Sequence, residues 1–230
     1  ALNAALPESI PAIHETFAGW VPPERICAFA TPRLATDSLL ATDTWRARAA
    51  ELVREHFLER LKPDVIFISS LFEWFGNGTT TSVGQLPAGS KTAVTLYDLI
   101  PLLKPDIYLP GDCERNFYYR KIESLKHAGL LLAISEYSKH EAIEALSFAE
   151  DRIVTISTAV DERFRPISLS DEALDALRKR YGIQRKMVMY SPGGFDFRKN
   201  FAALFNAYAL LAPALRTAHQ LVITSKIDDA

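Results

Sequence analysis

Residues 128–134 read Ala128-Gly129-Leu130-Leu131-Leu132-Ala133-Ile134, an unbroken apolar run with the length of one buried strand. What flanks it decides the fold. On its C-terminal side, Ser138-Lys139-His140-Glu141 has the Ser-x-x-Glu spacing of a capping box, predicting a helix to about Leu146. Arg152-Ile153-Val154-Thr155-Ile156 then reads as another strand. On its N-terminal side lies a Tyr- and Phe-rich helix over 112–127, preceded by a strand from Thr92 to Tyr97 that closes at Asp98 and Pro101. Further out come a strand at 64–69 and a helix over 43–61. That helix places Trp45, Ala49, Leu52, Val53, Phe57 and Leu61 on one face and ends at Lys62-Pro63. Arg25 to Thr31 reads as a first strand, stopped by Pro32. This order, β-α-β-loop-β-α-β-α-β, predicts a doubly wound parallel sheet. Ligands of such sheets bind beyond the carboxyl ends of the strands, which points to the loops after Ile68, Tyr97 and Ile134.

Beyond Ile156 the sequence turns charged from Asp161 to Pro166, and Ser170 caps a helix to about Tyr181 with Gly182 as its stop. The pattern then restarts: strand Met187-Val188-Met189-Tyr190, a glycine turn, a helix from about Arg198 to Leu211, Pro213, and a strand from Gln220 to Thr224. The expected organisation is a first domain over 1–165, a linker and helix over 166–185, and the start of a second domain over 186–230. One βαβ unit does not cover both faces of a parallel sheet, so the natural chain is expected to continue past Ala230.

The bulk properties are those of an ordinary α/β protein. Of 230 residues, 48% are apolar and 23% charged, and the formal net charge is −2. That balance argues against a nucleic-acid partner, which calls for a basic surplus. No apolar run reaches the length of a spanning helix, and no signal-peptide pattern is present. Cys27 and Cys113 lie far apart, with no metal-ligand spacing, and read as two buried reduced thiols. His14, His56, His127, His140 and His219 form no spaced pair. The charges of the 43–61 helix (Arg46, Arg48, Glu51, Arg54, Glu55, Glu59, Arg60) read as a solvated face. A membrane-surface contact stays open for this helix, with the mixed signs counting against it.

The strongest local signal for chemistry is Tyr190-Ser191-Pro192-Gly193-Gly194-Phe195-Asp196-Phe197-Arg198-Lys199-Asn200-Phe201, at a strand-to-helix transition. Two glycines let the backbone turn tightly and approach a ligand. A helix that starts there would offer free N–H groups and a partial positive charge to an anion. Arg198 and Lys199 at such a start are locally unfavourable, and a phosphate would relieve them. The alternative is a plain turn with two solvated cations. Neither a Walker loop nor a dinucleotide fingerprint is present.

The segment Gly193 to Tyr208 resembles the donor-domain entry of the GT4-type (group 1) glycosyltransferases. Tyr97-Asp98-Leu99-Ile100-Pro101, the stretch from Leu132 to Lys139 with its continuation from Arg152 to Phe164, and the loop Leu71-Phe72-Glu73-Trp74-Phe75-Gly76-Asn77 resemble the same family, in the same order. The resemblance implies a GT-B fold, with an acceptor-side domain and a nucleotide-sugar domain, and transfer with retention and no essential metal or other cofactor. It implies that Gly193, Gly194, Arg198 and Lys199 hold the donor diphosphate, with Arg198 and Lys199 stabilising the departing charge. Asp98 is then a catalytic or acceptor-orienting carboxylate, and Glu73 and Asn77 are acceptor-side groups. Each has a plainer reading: Asp98 as the cap of the turn into Pro101, Glu73 and Asn77 as a solvated loop, Ser135 and Glu136 as helix entry.

Two positions depart from the family pattern. Gly194 stands where many relatives have Arg, and Tyr97 where many have His. The Glu-x7-Glu pair of the family's donor domain would fall after Ala230, so the chain alone is expected to lack a complete nucleotide pocket. The implied partners are a nucleotide sugar, with GDP-mannose favoured, and a saccharide or lipid-linked acceptor, in a cytoplasmic or peripheral membrane setting. The alternative function is a non-catalytic glycan-, nucleotide- or partner-binding module.

Overall fold

The computed structural model describes residues 1–4, 6–31, 44–73, 79–86 and 91–225. It divides into two compact units, Ala1–Ala159 and Val160–Ala230. Every strand pair in both is parallel, as the alternating pattern predicts.

The first unit is built on a four-stranded sheet in sequential order: β3 (Val65–Ile68), β4 (Lys91–Leu96), β5 (Leu130–Ala133) and β6 (Ile153–Thr155). One sheet face carries Ile68, Val94, Leu96, Leu131, Ala133 and Ile153 into the core. Against it pack Tyr118, Ile122 and Leu125 of helix α5 (Asp112–Lys126), and Ala142 and Leu146 of α6 (Glu136–Leu146). Leu125 and Leu131 are wholly buried, and each such side chain is worth about 1.5–3 kcal/mol. Gly129 enters β5 where a Cβ would lie 3.1 Å from the Thr92 carbonyl oxygen, and its N–H donates to that oxygen at 2.9 Å. A side chain there would push β5 off β4.

Elements at the margins differ from the pattern reading. The strand expected over Arg25 to Thr31 is present only as the short β2 (Ala28–Phe29), which pairs with β1 (Leu2–Asn3), and a 3₁₀ turn, Pro23–Arg25, precedes it. Pro22 and Pro23 supply the turn dihedrals and no ladder donors. The helix after β5 begins at Glu136, not at Ser138: Ser135 is its N-cap and accepts from the Ser138 N–H at 3.0 Å. Ser138 is turned inward instead, donating to the Tyr97 carbonyl at 2.7 Å. Helix α1 (Ser9–Thr16) and two single-turn helices after β4, α3 (Ile100–Leu103) and α4 (Pro105–Tyr108), carry no periodic signal long enough to read. Neither cysteine is fully buried, and both are free.

The largest correction concerns helix α2 (Thr44–Arg60). Two of its acids face inward, while Arg48 and Arg60 stay exposed as expected. Glu51 and Glu55 are buried, whereas Trp45, Val53 and Leu61 are exposed. Polar partners decide this orientation. Lys121 of α5 meets Glu51 at 3.1 Å and also donates to the Thr81 carbonyl. Glu55 accepts from the Ser82 hydroxyl at 2.6 Å and the Leu86 N–H at 2.8 Å, and Arg54 donates to the Ser82 carbonyl at 3.1 Å. The segment 79–86 is thereby clamped between α2 and α5. Burial holds the Lys121 ammonium below its ordinary pKa, and Glu51 opposes that shift.

The second unit contains α7 (Asp171–Arg180), β7 (Lys186–Tyr190), α8 (Phe201–Ala209), α9 (Pro213–Ala218) and β8 (His219–Ile223). Ser170 caps α7 by accepting from the Ala173 N–H, and Gly182 follows it at φ +64°. β7 and β8 pair from Lys186↔His219 to Tyr190↔Ile223. The Gln220 side chain locks that register, accepting from the Gln184 and Arg185 N–H groups and donating to the Gly182 carbonyl.

The buried pair in the first unit gives a direct test. Lys121→Met leaves Glu51 buried without its closest counter-charge, and should cost about 3–5 kcal/mol in chemical denaturation. Adding Glu51→Leu should recover part of that loss.

Candidate functional site

The loop after β7 is held at both ends. Tyr190, the last residue of β7, donates its hydroxyl to the Lys199 carbonyl at 2.8 Å, closing the loop on itself. Three ring contacts brace it. Phe195 stacks on Phe201 with centroids 5.0 Å apart, Tyr190 meets Phe201 edge-on at 5.8 Å, and Phe205 lies against Phe201 at 6.1 Å. These aromatics explain the Phe content of the motif as bracing. The bend itself is made by Gly193 at φ +72° and Gly194 at φ +144°. A Cβ at either would meet open space, so backbone conformation, not crowding, selects glycine there. Among the described residues, none accepts from the backbone N–H of Gly193, Gly194 or Phe195.

Arg198 and Lys199 do not open the helix, as the sequence reading had them. They form a 3₁₀ turn, Phe197–Lys199, and Asn200 at φ +47° follows. Asn200 is the cap of α8 and accepts from the Ala203 N–H at 3.3 Å. A left-handed residue thus sits between the two cations and the helix start. The helix also ends at Ala209, and Pro213 starts a separate helix, α9.

The two cations differ. The Arg198 guanidinium pairs with Asp196, Nε on Oδ1 at 2.9 Å and Nη2 on Oδ2 at 3.3 Å, while the Arg198 N–H also reaches Oδ1 at 2.9 Å. The Arg198 guanidinium first, and its N–H second, hold the Asp196 carboxyl below its ordinary range. At neutral pH Asp196 is therefore an anion, and an incoming phosphate must compete with it for Arg198. The Lys199 ammonium makes no hydrogen bond or salt bridge to any described residue. Its backbone is fixed by Tyr190 and by its own N–H on the Asp196 carbonyl at 2.9 Å. Among the described residues, the N–H groups of the glycine bend and the Lys199 ammonium are thus donors of this loop without an acceptor.

In the first unit, Glu73 and Asp98 follow the carboxyl ends of β3 and β4. Asp98 is exposed and accepts the Ile100 N–H on Oδ1 at 3.0 Å, so it does cap the turn into Pro101. Its other carboxylate oxygen makes no hydrogen bond to a described residue. Glu73 is half-buried, and Asn77 lies outside the described residues. Tyr118 links the two segments, and the sequence reading assigned it no role. Its ring lies 5.0 Å from that of Phe72, next to Glu73; its buried hydroxyl lies near the Leu102 backbone but makes no hydrogen bond of normal geometry to a described residue. Burial first, and the Asp98 charge second, raise the Tyr118 pKa. The only hint in sequence is a Tyr at an inward position of a Tyr-rich helix. The Leu99 N–H donates to the buried Glu141 of α6 at 3.3 Å, which fixes the turn from below. Ser135 caps α6, in agreement with its helix-entry reading. Among the described residues, no group of three His, Cys, Asp or Glu could hold a metal ion.

Over 182 residues, 79% of its length, the chain is 32% identical to the serotype-specific mannosyltransferase WbdA of Escherichia coli. By sequence it is a relative of glycosyltransferases. It also shares 32% identity over 139 residues with the O-antigen chain mannosyltransferase B of Escherichia coli. The chain spans 22% of the length of WbdA and 36% of the second relative. A glycosyltransferase of Rickettsia africae ESF-5 superposes with a TM-score of 0.45 at 14% identity, covering 87% of this chain and 55% of that one. No protein-family model matches.

Two outcomes follow from the loop geometry. Gly194→Ala should cost about 1–3 kcal/mol in thermal unfolding of the second unit, through backbone strain alone. Arg198→Ala should return the Asp196 carboxyl toward its ordinary pKa in an NMR titration. The sign is fixed by the depressed carboxyl: the pair's contribution is present above the ordinary carboxylate range and fades as pH falls through the lowered value.

Proposed function

We propose that this chain is part of a retaining, GT4-type mannosyltransferase of surface-polysaccharide synthesis. It works in the cytoplasm and takes mannose from a nucleotide sugar, GDP-mannose, to a saccharide or lipid-linked acceptor. One observation carries the reading: the braced bend at Gly193-Gly194 presents unpaired N–H groups with an uncommitted ammonium, Lys199, in the same loop. A diphosphate fits that set. Its oxygens take the amide donors, and Lys199 supplies the compensating charge. Similarity to two Escherichia coli mannosyltransferases supports the choice of sugar and of pathway class.

The mechanism asks most of the leaving group. As the bond from the sugar to the diphosphate lengthens, negative charge grows on the phosphate oxygen. Fixed donors already aimed there lower the barrier without reorganisation. Arg198 takes the supporting role, reaching the second phosphate only when it leaves Asp196. Asp98 keeps one carboxylate oxygen for an acceptor hydroxyl, with Glu73 on the neighbouring loop. The fuller nucleotide pocket and the acceptor's identity belong to the whole protein.

Lys199→Ala should weaken GDP binding at least tenfold, about 1.4 kcal/mol, in calorimetry of the whole protein. Arg198→Ala should weaken it less, because Asp196 competes for that guanidinium. GDP should bind more tightly than UDP. Equal GDP affinity for wild type and Lys199→Ala would remove the ammonium from the phosphate site.

A further inference from the structure

Helix α6 spends two buried side chains on the two neighbours of Asp98. Ser138 and Glu141 stand three residues apart on one face of the helix, and only 4% and 7% of them is exposed. The Ser-x-x-Glu spacing that reads in sequence as a capping box serves a different segment here. The Ser138 hydroxyl donates to the Tyr97 carbonyl at 2.7 Å. Its oxygen lies 3.0 Å from the Ser135 hydroxyl, and with the Ser138 proton on Tyr97, Ser135 is the donor of that pair. A Glu141 carboxylate oxygen accepts the Leu99 N–H at 3.3 Å, and Leu99 is wholly buried. Asp98 stands exposed between these two anchors. Its Oδ1 takes the Ile100 N–H at 3.0 Å, and its second oxygen has no hydrogen bond to a described residue. The backbone is therefore held on each side of Asp98, and the carboxylate is held at one oxygen.

We propose that Ser138 and Glu141 are positioning residues, which aim the second carboxylate oxygen of Asp98 at a hydroxyl of the acceptor sugar. The inference rests on the proposed function, which gives Asp98 to the acceptor. Taking a carboxylate out of water is costly, and one amide is little return for it. What the arrangement secures is direction. An exposed carboxylate on a loose turn samples many orientations, and each one that misses the hydroxyl loses rate. With the Tyr97 carbonyl and the Leu99 and Ile100 amides all engaged, the turn has little freedom left, and Asp98 presents one oxygen in one place. Both anchors act through backbone, so neither needs to touch the sugar.

Two measurements on the whole protein test it. Amide hydrogen exchange reads the clamp without any substrate. Ser138→Ala and Glu141→Leu should each speed exchange at Leu99 and Ile100 at least tenfold and leave the β4 amides from Ala93 to Leu96 as they were. Mannosyl transfer from GDP-mannose to methyl α-mannoside reads what the clamp is for. Asp98→Asn, Ser138→Ala and Glu141→Leu should each lower kcat/KM for the mannoside at least tenfold, with KM for GDP-mannose unchanged. Glu141→Gln keeps an acceptor oxygen for Leu99 and should retain most of the rate. Adding Ser138→Ala to Asp98→Asn should cost nothing further, because both act through one oxygen. His140→Ala, exposed on the same helix, should change neither measurement. The proposal is overturned if exchange at Leu99 and Ile100 is unmoved, if KM for GDP-mannose rises as the mannoside rate falls, if Glu141→Gln loses as much as Glu141→Leu, or if the Asp98→Asn and Ser138→Ala losses multiply. Exchange that changes as expected in a protein whose wild type transfers no mannose would sink the sugar-transfer reading instead, and leave the clamp without that purpose.

Discussion

Parallel pairing is the constraint from which the rest follows. Parallel strands cannot be joined by a tight hairpin, so the chain must leave each strand at the carboxyl end and return outside the sheet. In the first unit this delivers Glu73, Asp98 and Ser135 to one edge, after β3, β4 and β5. In the second it delivers the glycine bend after β7. Gly129 shows how tightly the pairing is enforced, since its missing side chain lets β5 close on Thr92. Chemistry then depends on what each loop does with its polar groups.

The two units handle charge in opposite ways. The first buries it: Glu51, Glu55 and Lys121 leave water and recover the cost through hydrogen bonds to each other and to the 79–86 segment. Such a cluster contributes less to stability than to geometry, because any unpaired member is costly and only one arrangement satisfies all of them. The second unit keeps its charge in solvent. Asp196 and Arg198 pair at the surface, where partners exchange easily, and the Lys199 ammonium has no hydrogen bond or salt bridge to a described residue. A loop whose backbone is braced and whose charge is exchangeable suits a ligand that arrives with charge and departs with more.

Much of this was legible in sequence, and the failures have identifiable causes. The strands of the first sheet, helices α5 and α7, and the glycine bend are where periodicity, capping and turn chemistry place them, because each rests on local rules. On α2 the solvated-face expectation holds for Arg48 and Arg60 and fails for Glu51 and Glu55: hydrophobic periodicity assumes an apolar partner, and the partner here is Lys121 with the amides and hydroxyls of 79–86. The sequence offers both Ser135 and Ser138 as the cap of α6, and the long-range bond from Ser138 to Tyr97 decides between them. Arg198 and Lys199 were placed on a helix because nothing in their spacing reveals Asn200 in the left-handed region. The pairing of Arg198 with Asp196 depends on that turn, and so the inequality of the two cations was hidden too. Tyr118 is placed by its ring contact with Phe72 and feels the Asp98 charge, and both are distant in sequence.

The account's centre is that amides of the Gly193-Gly194 bend, with Lys199, receive a diphosphate. The most direct measurement is an amide-resolved NMR titration of the isotope-labelled protein with GDP. The account predicts that the largest shift changes fall on the Gly193, Gly194 and Phe195 amides, with Lys199 moving alongside them. Saturable GDP binding that leaves those three amides unmoved would contradict it.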